Sequence, residues 1–163
     1  MIAALKNELL KAALSYAAKG WPVFPVRGDK MPLVKWKDGA TTDADTIRQW
    51  WKKWPLAMIG VPTGARSGLS VLDIDRKNGI DGLENLREAL GFNPFDLTPL
   101  VAETPSGGLH FYFRHNGNLK NSAGLIAAGI DVRGDGGYIV APPSHPNPDD
   151  RSLTEYSWLE GGV

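Results

Sequence analysis

The stretch Ser70-Val71-Leu72-Asp73-Ile74-Asp75 ends an apolar, β-prone run in two carboxylates separated by one residue. Strand alternation turns both to the same face, where they can grip one ion together. Two neighbouring carboxylates repel unless a cation neutralises them, and hard oxygen ligands of this kind suit Mg²⁺ or Mn²⁺. A second stretch, Thr104-Pro105-Ser106-Gly107-Gly108-Leu109-His110-Phe111-Tyr112-Phe113, feeds a glycine turn into a strand. Leu109, Phe111 and Phe113 then face one way and His110 and Tyr112 the other. The backbone N–H groups of Ser106, Gly107 and Gly108 and the Ser106 hydroxyl can surround phosphate oxygens, while His110 donates a hydrogen bond or positive charge to the same group. A third stretch runs from Gly129 through Asp131 and Arg133 into Gly134-Asp135-Gly136-Gly137 and a returning strand. Asp131 offers a third metal ligand there, and Arg133 can neutralise charge on a nucleotide or on the metal site. Asp135 is read as a turn residue.

Each stretch alone has a plainer reading: a strand-end acidic pair facing water, a structural histidine, an Arg133 salt bridge to one of the aspartates. Together, Asp73, Asp75 and Asp131 with His110 and a glycine-rich turn fit two-metal phosphoryl transfer, in which ions about 3.5–4 Å apart bind the attacking and leaving oxygens. Such a reaction needs no covalent nucleophile. One ion activates a primer 3′-hydroxyl or the hydroxyl of a first nucleotide, and the other holds the triphosphate and stabilises departing pyrophosphate.

The elements that must position these groups are legible from periodicity. Leu5, Leu9, Ala13 and Tyr16 fall on one face of an N-terminal helix, and Gly20 stands where a left-handed closing residue is wanted. The segment 21–26 is β-prone but interrupted by Pro22 and Pro25, which suits an edge strand. Thr42 and Asp45 have capping-box spacing ahead of a helix striped with Ile47, Trp50, Trp51 and Trp54 and ended by Pro55. That stripe reads as core, with base stacking by one indole as the alternative. Further strands are predicted at 58–61, 69–74, 100–103, 109–113, 130–132, 138–141 and 156–158, with one helix at 82–90 capped by Asp81 and closed by Gly91. Two hairpins are expected, one turning at 104–108 and the other at 134–137. The fold class is therefore α/β in composition (α+β in order), read as one domain over 1–163.

Composition narrows the class of function. The chain has no cysteine, which excludes disulfides, thiolate metal sites and a cysteine nucleophile and makes a reducing, cytoplasmic setting the default. No apolar run approaches membrane-spanning length, and the N-terminal helix carries lysines and a glutamate where a secretory signal would be uninterrupted. The 18 basic and 18 acidic residues cancel, so the strong positive field of many nucleic-acid binders is missing. Arg27, Lys30, Lys35, Lys37, Arg48, Lys52 and Lys53 nevertheless cluster within 27–53, enough for a local phosphate-contacting patch or simply a solvated face.

In order along the chain, VLDID, TPSGGLHFYF and GIDVRGDGGYIVAPPSH resemble the three motifs of the bifunctional DNA primase/polymerase (prim-pol) domain of the archaeo-eukaryotic primase superfamily. The family's acidic pair matches Asp73 and Asp75, its small-residue-x-histidine motif matches Gly108-Leu109-His110, and its third acidic residue matches Asp131. The opening GWPVFPV and the GVPTG ahead of the acidic strand are also similar. The resemblance implies an RRM-like, mainly antiparallel or mixed sheet flanked by helices. It also implies template-directed nucleotidyl transfer with two Mg²⁺ or Mn²⁺ ions, acting on a DNA template and primer with dNTP or NTP. A helicase module, C-terminal in the same chain or in trans, is implied as a partner, and the chain is expected to be a fragment of a longer plasmid or phage replication protein. Two rivals are weighed. LDID also resembles the acidic pair of haloacid-dehalogenase-type phosphatases, but Arg76-Lys77 follow it where glycine-threonine is usual. A non-catalytic single-stranded nucleic-acid binder would gain nothing from aspartates that repel phosphate.

Overall fold

The computed structural model describes residues 1–159. Helix α1 (Ile2–Ala18) buries Leu5, Leu9, Ala13 and Tyr16, the stripe its periodicity predicts, and the chain leaves it through Gly20 at a φ of +88°. Strand β1 (Phe24–Val26) leads by way of a short helix, α2 (Trp36–Gly39), to α3 (Ala44–Lys53). The start of α3 differs from the Thr42–Asp45 expectation: the Asp43 carboxylate accepts from the Thr46 backbone N–H at 2.9 Å and from its hydroxyl at 2.7 Å. Thr41 is occupied in turn by the Asp43 N–H, at 3.0 Å. Several Ser, Thr and Asp candidates lie next to one another here, and the backbone satisfies its free N–H groups from whichever oxygen is three residues ahead.

Strands β2 (Met58–Pro62) and β3 (Leu69–Ile74) follow, then α4 (Gly82–Leu90), a 3-10 turn (Pro94–Asp96), β4 (Val101–Glu103), β5 (Leu109–Arg114), β6 (Ser122–Ala123), β7 (Ile130–Arg133), β8 (Tyr138–Ala141) and β9 (Ser157–Trp158). Helix α4 has the predicted bounds, with Asp81 capping the Glu84 N–H and Gly91 closing it in the left-handed region. The strands form two sheets, one ordered β1-β2-β8 and the other β6-β7-β3-β5-β4-β9. Among the described residues every pairing of these strands is antiparallel. As its prolines predict, β1 lies at a sheet edge.

One of the two expected hairpins forms. The turn at 104–108 joins β4 to β5, paired from Glu103–Leu109 onwards. The turn at 134–137 does not return β7 onto β8, because β7 pairs with β3 and β6 while β8 pairs with β2 in the other sheet. Its polar groups are drawn to the exit of β2 instead: the Thr63 N–H donates to the Gly137 carbonyl at 2.9 Å, and the Thr63 hydroxyl donates to the Gly134 carbonyl at 2.7 Å. The turn is therefore a crossing point between sheets.

Two apolar clusters fix the larger sheet. On one face Ile74, Leu109, Phe111, Ile130 and Val101 pack with Leu83 and Leu86 of α4. On the other, Val71, Ala102 and Tyr112 join α1, α3 and the inner residues of the smaller sheet. Phe111 and Ile74 are fully buried. Burying each such side chain contributes about 1.5–3 kcal/mol, which makes β3 and β5 a rigid base for what they carry.

Candidate active site

Strand β3 is central, with β7 on one side and β5 on the other. Register pairs Asp73 with Asp131 on β7 and with His110 on β5, and directly paired residues share a face. The same face carries Arg133, opposite Val71. The side chains meet as the register dictates. His110 Nε2 lies 3.4 Å from Asp73 Oδ1. The Arg133 guanidinium lies 3.6 Å from Asp73 Oδ2 and 3.6 Å from Asp131 Oδ2, bridging the two carboxylates. The other Asp131 oxygen accepts from the Gly124 N–H at 3.2 Å.

Burial acts against ionisation of Asp73. The His110 contact and the positive charges of His110, Arg133 and Lys30 outweigh it, so its pKa is held below the usual carboxylate value. His110 is buried, and its Nδ1 has no partner among the described residues; the same holds for the hydroxyl of its neighbour Tyr112. Two unpaired buried polar atoms side by side are costly, and such groups concentrate where a fold serves something other than its own stability.

Above this row opens a cavity of about 280 Å³ whose lining includes Asp73, His110 and Arg133. Lys30, Trp36, Asn121, Tyr138 and Tyr156 complete much of its wall. Trp36 and Tyr138 meet edge to face with ring centres 4.9 Å apart. The Tyr138 hydroxyl donates to the Lys30 carbonyl at 2.7 Å, tying the loop after β1 to the cavity rim. Asn121 accepts from the Gly134 N–H at 2.9 Å, and a Cβ on Gly137 would collide with its amide. The glycine at 137 is thus demanded by close approach.

The sequence-predicted groups are only partly brought together. Asp73, Asp131, His110 and Arg133 converge, Asp131 through Arg133 and from beside the cavity, not within its lining. Asp75 lies one residue beyond the end of β3, its N–H bonded to the Gly129 carbonyl at 2.8 Å, and is outside the cavity lining. Ser106, Gly107 and Gly108 are also outside it. The Gly107 N–H is spent within the turn on the Thr104 carbonyl at 2.9 Å, and Arg76 Nε donates to the Gly107 carbonyl at 2.7 Å. Asp135, expected as a local turn residue, instead accepts from the distant Ala65 N–H at 2.9 Å.

Sequence reading assigned no site role to Trp36, Asn121 or Tyr156, and placed Lys30 only within a general basic stretch. These residues reach the cavity from loops and strand ends distant in sequence, so no local spacing marks them. Tyr138 had a visible signal, a polar-tipped aromatic leaving the glycine turn.

A divalent ion fits this donor set. Asp73 and Asp131 present hard oxygens of the kind such an ion takes, and here the Arg133 guanidinium supplies the positive charge between them. Among the described residues no three His, Asp or Glu side chains cage an ion by themselves. Mg²⁺ typically takes one or two carboxylates and completes its shell with water and substrate phosphates.

The antiparallel α+β core thus brings acidic and basic groups together at one cavity. The family model described as "bifunctional DNA primase/polymerase, N-terminal" matches residues 13–162, and the chain belongs to that family. At the level of the family its chemistry is DNA primase/polymerase-type nucleotidyl transfer, with DNA and nucleotides as substrates and a general dependence on divalent metal. No curated protein matches the chain. No helix among the described residues is long and apolar enough to cross a membrane.

Proposed function

We infer that the Asp73–His110–Asp131 row is the catalytic centre of a DNA primase, DNA polymerase or both, working by a two-metal mechanism. The observation that carries this reading is the register pairing of Asp73 with Asp131, both bridged by Arg133. Asp73 and Asp131 would hold Mg²⁺ or Mn²⁺, with Asp75 supplying a further oxygen from the same face of the extended strand. Two such ions, when bound, lower the pKa of the attacking 3′-hydroxyl and stabilise the leaving pyrophosphate. His110 stands beside the incoming triphosphate and directs an N–H at it. Arg133 and Lys30 offset its charge, and Trp36 and Tyr138 present ring surface to the base. Ser106 and the Gly108 backbone, at the Asp75 end of the row, would meet the outer phosphates once the triphosphate reaches past the cavity, while the Gly107 N–H stays within its turn. On this reading residues 1–163 are one catalytic domain acting in the cytoplasm on a primed template, with a helicase module in the same chain or in trans.

The test is extension of a primed DNA template with dNTPs or NTPs and Mn²⁺ or Mg²⁺, beside an Asp73→Asn/Asp131→Asn variant whose fold is checked by circular dichroism. Metal-dependent extension by the parent alone is expected; an unprimed template then separates priming from extension. Equal extension by parent and variant would remove the row from the chemistry.

A further inference from the structure

A second concavity, about 510 Å³, lies where β1, α1 and the end of α3 meet, and its lining includes Lys6, Arg27, Lys53 and Trp54. The three cations are exposed and Trp54 is half-buried. No acidic side chain is part of the lining, although Arg27 pairs with Asp29 just outside it. In a chain whose 18 basic and 18 acidic residues cancel, this is a local excess of positive charge. Its apolar floor holds an indole with the Lys53 ammonium 4.5 Å from the ring centre. Val26, Leu33, Pro55, Leu56 and Ala57 make up the rest of its apolar lining.

Cations that track phosphates, together with an aromatic face that accepts any base, are the two components of sequence-tolerant single-strand binding. One loop runs from the groove to the cavity. Arg27 and Gly28 line the groove, Lys30 lines the cavity, and one loop carries all three. Three residues of chain span at most about 10 Å, and Tyr138 holds that loop in place from the cavity side.

We propose that the Lys6–Arg27–Lys53–Trp54 groove binds single-stranded DNA, with phosphates on the three cations and a base displacing the Lys53 ammonium from the Trp54 ring. The strand would be the stretch of template next to the nucleotide being copied. This deepens the catalytic reading by assigning the template a place outside the cavity.

The experiment measures anisotropy of a labelled oligo-dT across a salt series, for the parent, Lys6→Glu/Lys53→Glu and Trp54→Ala. The parent is expected to bind, with a salt slope reduced by about 1.4 in the double charge variant, which removes two phosphate contacts. Trp54→Ala is expected to weaken binding by about fivefold or more. Trp54 packs against the core, so the exposed-lysine variant decides the matter if Trp54→Ala fails to fold. Oligo-dT binding unchanged in the double charge variant overturns the proposal, and so does equal binding of polyglutamate, which has charge but no bases. Mn²⁺–nucleotide binding, followed in parallel by titration, should be retained in the groove variants and lost in Asp73→Asn/Asp131→Asn, so failure of the groove and failure of the catalytic row give different results.

Discussion

Asp73 and Val71 stand two residues apart on the same face of β3, and their surroundings are opposites. Around Val71 the face is sealed: Tyr112 stacks on Trp21 with ring centres 6.1 Å apart, Trp21 stacks on Tyr16 at 5.3 Å, and Trp158 tilts against Tyr112 at 4.9 Å. Around Asp73 the face is open, lined by charge, and ends in a cavity. Helix α1 and its aromatic partners cover the first region and stop short of the second. The sealed half supplies stiffness, which the open half needs, because carboxylates gathered for a cation repel one another and must be held by something other than their own contacts.

This division predicts that substitutions in the open half cost activity while those in the sealed half cost stability. The largest effect is expected for Asp73→Asn, a loss of about 10²–10³ in extension rate with little change in melting temperature. A variant that unfolds instead would make Asp73 a structural residue. Next is Gly108→Ala, where a new Cβ would stand 2.6 Å from the Ile74 carbonyl. Overpacking against backbone costs about 1–3 kcal/mol, and because Gly108 precedes His110 by two residues, activity should fall with stability. Denaturant titration with single-nucleotide extension checks both.

In the sealed half two tyrosines give opposite signs. Tyr16 donates to the Pro142 carbonyl at 2.6 Å and accepts from Trp158 Nε1 at 3.1 Å, so Tyr16→Phe should cost about 1 kcal/mol. Burial, opposed by the Trp158 bond, pushes its pKa from 10.0 up to about 12. A group that keeps its proton longer folded than unfolded stabilises fully below its unfolded pKa, and that contribution fades between about pH 10 and 12. Tyr16→Phe should therefore lose less stability than the parent across that window; equal alkaline losses would contradict the assignment. The smallest effect is Tyr112→Phe. Its hydroxyl is buried without a partner among the described residues, so removal should be neutral or stabilising by up to about 1 kcal/mol, and clear destabilisation would show that the hydroxyl is satisfied in solution.

The sequence made the elements legible where local rules govern them. Alternation separated Leu109, Phe111 and Phe113 from His110 and Tyr112: the first three enter the α4-side cluster, Tyr112 enters the opposite one, and His110 lines the cavity. Asp81 and Gly91 bounded α4 because a cap and a left-handed glycine are local demands. The split into two sheets was not legible. The turns at 104–108 and 134–137 have similar composition, yet one makes a hairpin and the other crosses between sheets, because Thr63, some 70 residues earlier in the chain, competes for the carbonyls of the second. Lys30, Trp36, Asn121 and Tyr156 were missed as site residues for a related reason: a cavity wall is assembled from parts of the chain whose spacing carries no period.

The pairing of Asp73 with Asp131 has a consequence for how such a site can vary. Slipping β7 past β3 by one position would exchange the faces of every β7 residue, sending Asp131 among Phe111, Leu86 and Ile74 and bringing Ile130 or Val132 to the row. A lone charge buried there costs several kcal/mol. The far-side leucines, isoleucines and phenylalanines thus act as the teeth of a ratchet that rejects a one-residue slip parting the two aspartates. Substitutions that keep those teeth apolar leave the alignment enforced, so the acidic pair is held in place from the far side of the sheet.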